Sequence, residues 1–196
     1  MLNNAISIVG LGSMGYGMAT SLVRAGHVVH GFDIAPAVMD RFVADGGTAA
    51  SLDDAATASD ILVIVVLNAA QTEAVLFGPG GWAKNLRKGV AIIACATVAP
   101  EFARTCAARC AEMGLHYLDA PISGGAAKAA LGKLSIMASG TKATFDAAAP
   151  ALDAMAETIF RLGDEAGSGS AMKAVNQLLA GVHIAAMAEA LTFGMT

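Results

Sequence analysis

Short apolar runs recur along the chain, and between them the apolar positions switch to the wider spacing of helices. Residues 5–9, 28–32, 61–67, 89–95, 115–119, 133–138 and 157–163 read as strands. Residues 13–25, 36–45, 69–76, 99–113 and 141–156 read as helices. Runs such as ILVIVVL at 61–67 do not alternate with polar residues. A strand of that kind is buried on both faces, as in a parallel sheet covered by helices on each side. The run at 133–138 follows only a short connection, so an antiparallel placement is expected for it. A Gly/Ser-rich turn, GDEAGSGSA, then leads into a single helical pattern from about residue 170 to the end. The expected division is an α/β domain over 1–163 and, over 164–196, a long interdomain helix that begins an all-α domain.

Composition sharpens this picture. There are 44 Ala and 22 Gly, so about a third of the chain carries almost no side chain, which suits helices packed closely on a sheet. Only 14% of residues are charged, against a usual ~25%, which argues against a disordered tail. The 12 Lys and Arg form no run, so no nucleic-acid partner is expected. Cys95, Cys106 and Cys110 cannot all pair within the chain, which points to a reducing compartment. Cys106 and Cys110 lie at i, i+4, but no His or further Cys pair accompanies them at ligand spacing, so no metal is expected. The first residues carry no basic stretch of a secretory leader, and the 61–67 run is too short to span a bilayer. A soluble cytoplasmic protein, with no membrane partner, is the expectation.

The loop after the first run reads GLGSMG, so Gly10, Gly12 and Gly15 match G-x-G-x-x-G. Gly10 permits the tight turn, Gly12 the approach of a pyrophosphate, and Gly15 the packing of helix on strand. The helix N-terminus adds free N–H groups and a partial positive charge. Asp33 stands 18 residues after Gly15, at the end of the next strand, where an acid accepts the ribose hydroxyls. With strand, helix and acid all in place, the fingerprint predicts a Rossmann-type, doubly wound fold that binds a dinucleotide. A carboxylate at 33 repels a 2′-phosphate and the next basic residue is Arg41, so NAD is expected over NADP.

Ligands of open α/β sheets gather at the carboxyl ends of strands. Leu67 and Asn68, Thr97, and the loop Asp119-Ala-Pro-Ile-Ser-Gly-Gly125 all fall there. Ser123, Gly124 and Gly125 could form a small anion cradle or an ordinary turn. On the last helix, Lys173, Asn176, Gln177 and Ala180 share one face about 100° wide, with apolar residues opposite. A lysine, two amides and a small residue form an unusual solvent face and read as a site wall. A lysine beside an apolar pocket and a cationic nicotinamide loses proton affinity, as a general base requires; a solvated lysine is the alternative. His27, His30 and His116 read as structural and Trp82 as a packing anchor. His183 lies at the edge of the lysine face, and Glu189 reads as an interface or solvent residue.

GLGSMGYGMATSLVRAGH, DAPISGG and the G-x-G-x-x-x-K-x-x-N pattern at Gly167–Asn176, in this order, resemble the β-hydroxyacid dehydrogenases. That family includes 3-hydroxyisobutyrate, tartronate-semialdehyde and 6-phosphogluconate dehydrogenases. NAAQTEAVLFG (68–78), KLSIMASG (133–140) and QLLAGVHIAAMAEA (177–190) look most like its L-threonate dehydrogenase branch. The resemblance implies Lys173 as catalytic base, Ser123, Gly124 and Gly125 on the substrate carboxylate, and Asn176 and Gln177 beside the substrate. It implies Gly10, Leu11, Gly12, Ser13, Met14, Gly15, Asp33, Ile34, Leu67, Asn68 and Thr97 along NAD. Gln177 departs from the family, where a second Asn is common.

The family's K-D-L-G motif, in its C-terminal helical domain, is not in this sequence, which is about a hundred residues shorter than is usual there. The expected function is NAD-dependent oxidation of a short hydroxy acid of the L-threonate type to the keto acid. The rival substrates are 3-hydroxyisobutyrate and tartronate semialdehyde. A rival of another class is an NAD-binding, dimerising piece that does not turn over. A homodimer or higher homo-oligomer is expected.

Overall fold

The computed structural model describes residues 4–195; the reading of the N-terminus as lacking a leader rests partly on residues 1–3, which lie outside them. The first half runs β1 (Ala5–Val9), α1 (Gly15–Arg24), β2 (Val28–Phe32), α2 (Pro36–Ala44), α3 (Leu52–Ala58), β3 (Ile61–Ile64), α4 (Ala69–Phe77), β4 (Ala91–Ala94), α5 (Pro100–Glu112) and β5 (His116–Asp119). These five strands form one sheet in the order β2-β1-β3-β4-β5, with every neighbouring pair parallel. The order reverses between β1 and β3, and the crevice at such a switch point is where ligands bind.

Alternation along the strands explains why both faces are covered. Ile6, Ile8, Ile61, Val63 and Ile93 join one buried cluster with Met18 and Leu22 of α1. Leu62, Ile64 and Ile92 join the other with Ala103 and Cys106 of α5. Successive residues of a strand point to opposite faces, so a continuous apolar run supplies two cores at once. Trp82 is buried edge-to-face against Phe32, as its reading as an anchor requires.

The second half runs β6 (Ile122–Ser123), α6 (Gly125–Leu131), β7 (Leu134–Ala138), α7 (Lys142–Met155), β8 (Ala156–Arg161) and α8 (Ser168–Gly194). Its strands form a separate sheet, β6-β7-β8, with β6–β7 antiparallel and β7–β8 parallel. The 133–138 strand is therefore antiparallel on one side only. Pro121, which has no N–H to give a ladder, stands two residues past the end of β5, and among the described residues the two sheets are joined by an antiparallel bridge between Asp119 and Ser139.

Two other differences from the sequence reading have local causes. Helix α3 was not anticipated; it is short, and its start is marked by Ser51, whose Oγ accepts the Asp54 N–H at 3.1 Å. Strand β3 stops at Ile64 although the apolar run continues to Leu67, because residues 65–67 turn out of the sheet into the crevice. Helix α8 begins with Gly169, Ser170 and Lys173 buried, then leaves the body of the domain with its apolar residues exposed. It has 27 residues and is long and apolar enough to cross a membrane by length and composition.

Candidate active site

The fingerprint loop closes tightly around its glycines. Gly10 has φ +96°, and a Cβ there would lie 2.1 Å from Val65 O. A Cβ on Gly15 would lie 1.8 Å from Gly10 O, so strand and helix can approach only if both positions lack side chains. Gly12 is different: nothing lies within 4 Å of a Cβ built there, and the residue faces open space in the crevice. That opening, beside the first turn of α1 with its free N–H groups, fits a dinucleotide pyrophosphate. Leu11 is buried in the core, and its backbone N–H donates to Asp33 Oδ2 at 2.7 Å. Asp33 Oδ1 accepts the Ala35 N–H at 3.0 Å, which holds the carboxylate at the end of β2. Ile34 projects fully into solvent beside it.

A cleft of about 450 Å³ lies at the carboxyl ends of the central strands. Gly12, Ser13, Met14 and Gly15 line one side; Val65, Val66 and Leu67 come from the end of β3, and Cys95 and Thr97 from the end of β4. Ile122, Ser123, Gly124 and Gly125 form the third side, and Lys173 and Gln177 the fourth. The fold thus brings eleven of the residues singled out in the sequence, from five distant segments, around one space. Gly10, Leu11, Asp33 and Ile34 lie outside that lining. So do Asn68 and Asn176. The Asn68 side chain caps α4 by accepting the Gln71 N–H at 3.0 Å, and Asn176 is half-buried on α8.

Two residues without a role in the sequence reading shape this site. Gly17 lets α1 touch α6, since a Cβ there would stand 2.6 Å from Ala130 N. Ser21 Oγ seals the contact by donating to Ala129 O at 2.9 Å, and so the 123–125 loop is held beside the fingerprint loop. A fourth glycine in GLGSMGYG was the available signal. Cys95, on the cleft floor, is buried and its thiol is pushed up to about 12 by burial and then by the charge of Asp119, so it stays a neutral thiol.

Lys173 is buried, and its amine makes no hydrogen bond or ion pair among the described residues. Burial holds its pKa below the ordinary lysine value. An unpaired amine of lowered proton affinity, facing a polar loop across a cleft, can take a proton from a bound hydroxyl. His183 and Glu189 are exposed on the part of α8 that leaves the domain.

Comparison with known proteins agrees with this geometry. Residues 5–163 match the NAD binding domain of 6-phosphogluconate dehydrogenase. An L-threonate dehydrogenase of Cupriavidus necator is 48% identical over 195 residues, covering 99% of this chain and 66% of that protein. An L-threonate dehydrogenase of Haemophilus influenzae is 46% identical over 191 residues, covering 96% and 64%. A solved structure described as a 3-hydroxyisobutyrate dehydrogenase from Salmonella typhimurium matches with a TM-score of 0.90 at 46% identity, covering 94% of this chain and 65% of that one. The chain spans just under two thirds of the length of these relatives. It belongs to the NAD-binding domain family of 6-phosphogluconate dehydrogenase, and so to the β-hydroxyacid dehydrogenases.

Proposed function

We propose that the protein oxidises a short hydroxy acid of the L-threonate type with NAD, Lys173 acting as general base. The observation that carries this reading is the shared cleft, in which an unpaired, buried lysine faces Ser123–Gly125 with the fingerprint loop at its side. Ser123 Oγ and the backbone N–H groups of Gly124 and Gly125 would hold the substrate carboxylate. Gly124 has φ +133° and Gly125 φ +74°, conformations that aim successive N–H groups at one point and that glycine alone adopts cheaply. With the carboxylate fixed there, the neighbouring hydroxyl falls toward Lys173, which takes its proton. Bound NAD supplies the hydride acceptor. Gln177 lines the same cleft and can hydrogen-bond a further hydroxyl of a sugar acid, while Asn176, one residue earlier, supports the lysine's turn of helix. Positioning and the anion cradle account for most of the rate in such an arrangement.

The substrate class rests on the L-threonate dehydrogenases at 46–48% identity. The Salmonella typhimurium structure, at 46% identity, favours 3-hydroxyisobutyrate as the second reading. A panel of C4 hydroxy acids and 3-hydroxyisobutyrate, assayed with NAD and NADP, separates them; L-threonate with NAD should give the highest kcat/KM, and absence of any L-threonate turnover by an enzyme active on another acid would overturn the choice. The domain division at residue 163 fits the span of the NAD-binding match, with α8 opening a second, helical unit. The polar residues Lys173, Gln177, His183 and Glu189 along α8 suit a helix covered by protein rather than lipid. We place the protein in the cytoplasm as a homo-oligomer, on its three unpaired buried thiols and the apolar flank of α8.

A further inference from the structure

The buried carboxylate of Asp119 has no part in the chemistry above, yet it receives more hydrogen bonds than any other side chain near the cleft. It stands at the end of β5, 1% exposed. Its Oδ1 accepts the Ser170 hydroxyl at 2.6 Å. Its Oδ2 accepts the Ser170 N–H at 2.8 Å, the Gly167 N–H at 2.9 Å and the Ser139 hydroxyl at 3.2 Å. Two of the N–H groups that a helix start leaves without partners are thereby satisfied by a charge of the favourable sign. Ser139 Oγ also accepts the Gly169 N–H at 3.0 Å. A Cβ on Gly169 would stand 2.3 Å from Met137 O and 2.8 Å from Asp119 O, so the first turn of α8 lies directly on the strand ends.

Beyond Lys173 the helix is exposed along most of its length, so its first turn alone sets where that residue sits. From this we infer that Asp119 is the positioning residue for Lys173: it locks the first turn of α8 to the head of the same 119–125 loop that carries the anion cradle, so base and cradle are set by one anchor. The inference rests on the reading of Lys173 as the base, and its consequence is mechanical. Ser170 lies three residues before Lys173, hence on the same flank of the helix. Loosening that turn admits water to the amine and moves it away from the cradle.

The charged and titratable groups around this turn include Cys95, just past β4, and Tyr117 of β5, both held neutral by burial, Arg104 from α5, which lies against Gly167, and Asp164 and Glu165 in the segment leading into it. Direct electrostatics and positioning therefore act on Lys173 with opposite signs when the carboxylate is neutralised. Removing a nearby negative charge lowers a lysine's pKa, whereas rehydrating the amine raises it.

The test is a titration of lysine side chains by ¹³Cε NMR on the 196-residue chain, with Lys173→Arg identifying the signal. Asp119→Asn should move the Lys173 midpoint upward, toward the ordinary lysine value. Ser170→Ala keeps the charge and should move it the same way by less, with near-ultraviolet circular dichroism and NADH affinity unchanged in both. A midpoint that falls in Asp119→Asn, or holds still in Ser170→Ala, overturns the inference; so does an NADH affinity that collapses in step with the shift. If Asp119→Asn does not fold, Ser170→Ala decides alone. Because no substrate is present, failure here is distinct from failure of the base assignment, which turnover by Lys173→Ala would reveal.

Discussion

The backbone N–H of Leu11, inside the fingerprint loop, donates to Asp33 Oδ2 at 2.7 Å. One carboxylate thus holds the fingerprint loop, and in the proposed function it also accepts the ribose hydroxyls of NAD. Its charge opposes a 2′-phosphate. NADH should bind at least about tenfold tighter than NADPH, or ~1.4 kcal/mol, by fluorescence titration. Equal affinities would contradict this role. Asp33→Ala should weaken NADH binding and lower stability together, by roughly 1.5–3 kcal/mol for the hydrogen bonds to a charged group.

The glycines of one motif should separate cleanly into fold and function. A methyl on Gly15 meets Gly10 O at 1.8 Å, so Gly15→Ala should destabilise the domain by several kcal/mol or prevent folding. Gly12→Ala has open space and should keep its melting temperature while losing about tenfold or more in NADH affinity, because the methyl occupies the pyrophosphate's approach. Thermal melts and NADH titrations on both variants check the contrast.

Lys173→Ala should remove turnover by about 10²–10⁴-fold and leave NADH affinity nearly intact, since a base acts mainly in the transition state. A variant that retains more than about a tenth of the rate would exclude the role.

Burial raises the thiols of Cys95 and Cys110 to about 12 and that of Cys106 to about 11. In the unfolded chain they ionise near the ordinary thiol value of 9.0. Between these limits the folded state binds more protons, so stability is fully present below pH 9 and falls as pH rises toward the folded values. Each thiol adds a slope of up to ~1.4 kcal/mol per pH unit. Lys173, with its lowered pKa, contributes the opposite slope just below its ordinary value. Urea midpoints should therefore decline from pH 8.5 to 10.5, and less steeply in Cys106→Ala and Cys110→Ala, whereas a flat profile would contradict the burial of the thiols.

Leu178, Val182, Ile184, Met187 and Leu191 of α8 are each more than half exposed. They lie on both sides of the helix, and apolar residues exposed around much of a helix's circumference are hidden by association. Light scattering after size exclusion should give a mass above the 19.6 kDa of one chain, and a well-behaved monomer at micromolar concentration would refute it.

What the sequence determined by itself is local. Gly10, Gly12 and Gly15 between a strand and a helix, with Asp33 at the next strand end, specify a dinucleotide loop because each acts within a few residues of its own backbone. The continuous apolar runs specify a covered parallel sheet for the same reason: burial on both faces is written into every position. The tertiary structure alone decided which residues meet. Asn68 and Gln71 face each other because a helix starts there, so an amide at a strand end became a cap. Gln177 lines the cleft and Asn176 does not, a choice made by how α8 is seated against the strand ends. Its first turn is held there by hydrogen bonds among Asp119, Ser139 and Ser170, residues 20 to 51 positions apart in the chain. Contacts of that separation carry no periodic signal, for they depend on where two strand ends and a helix start arrive in space.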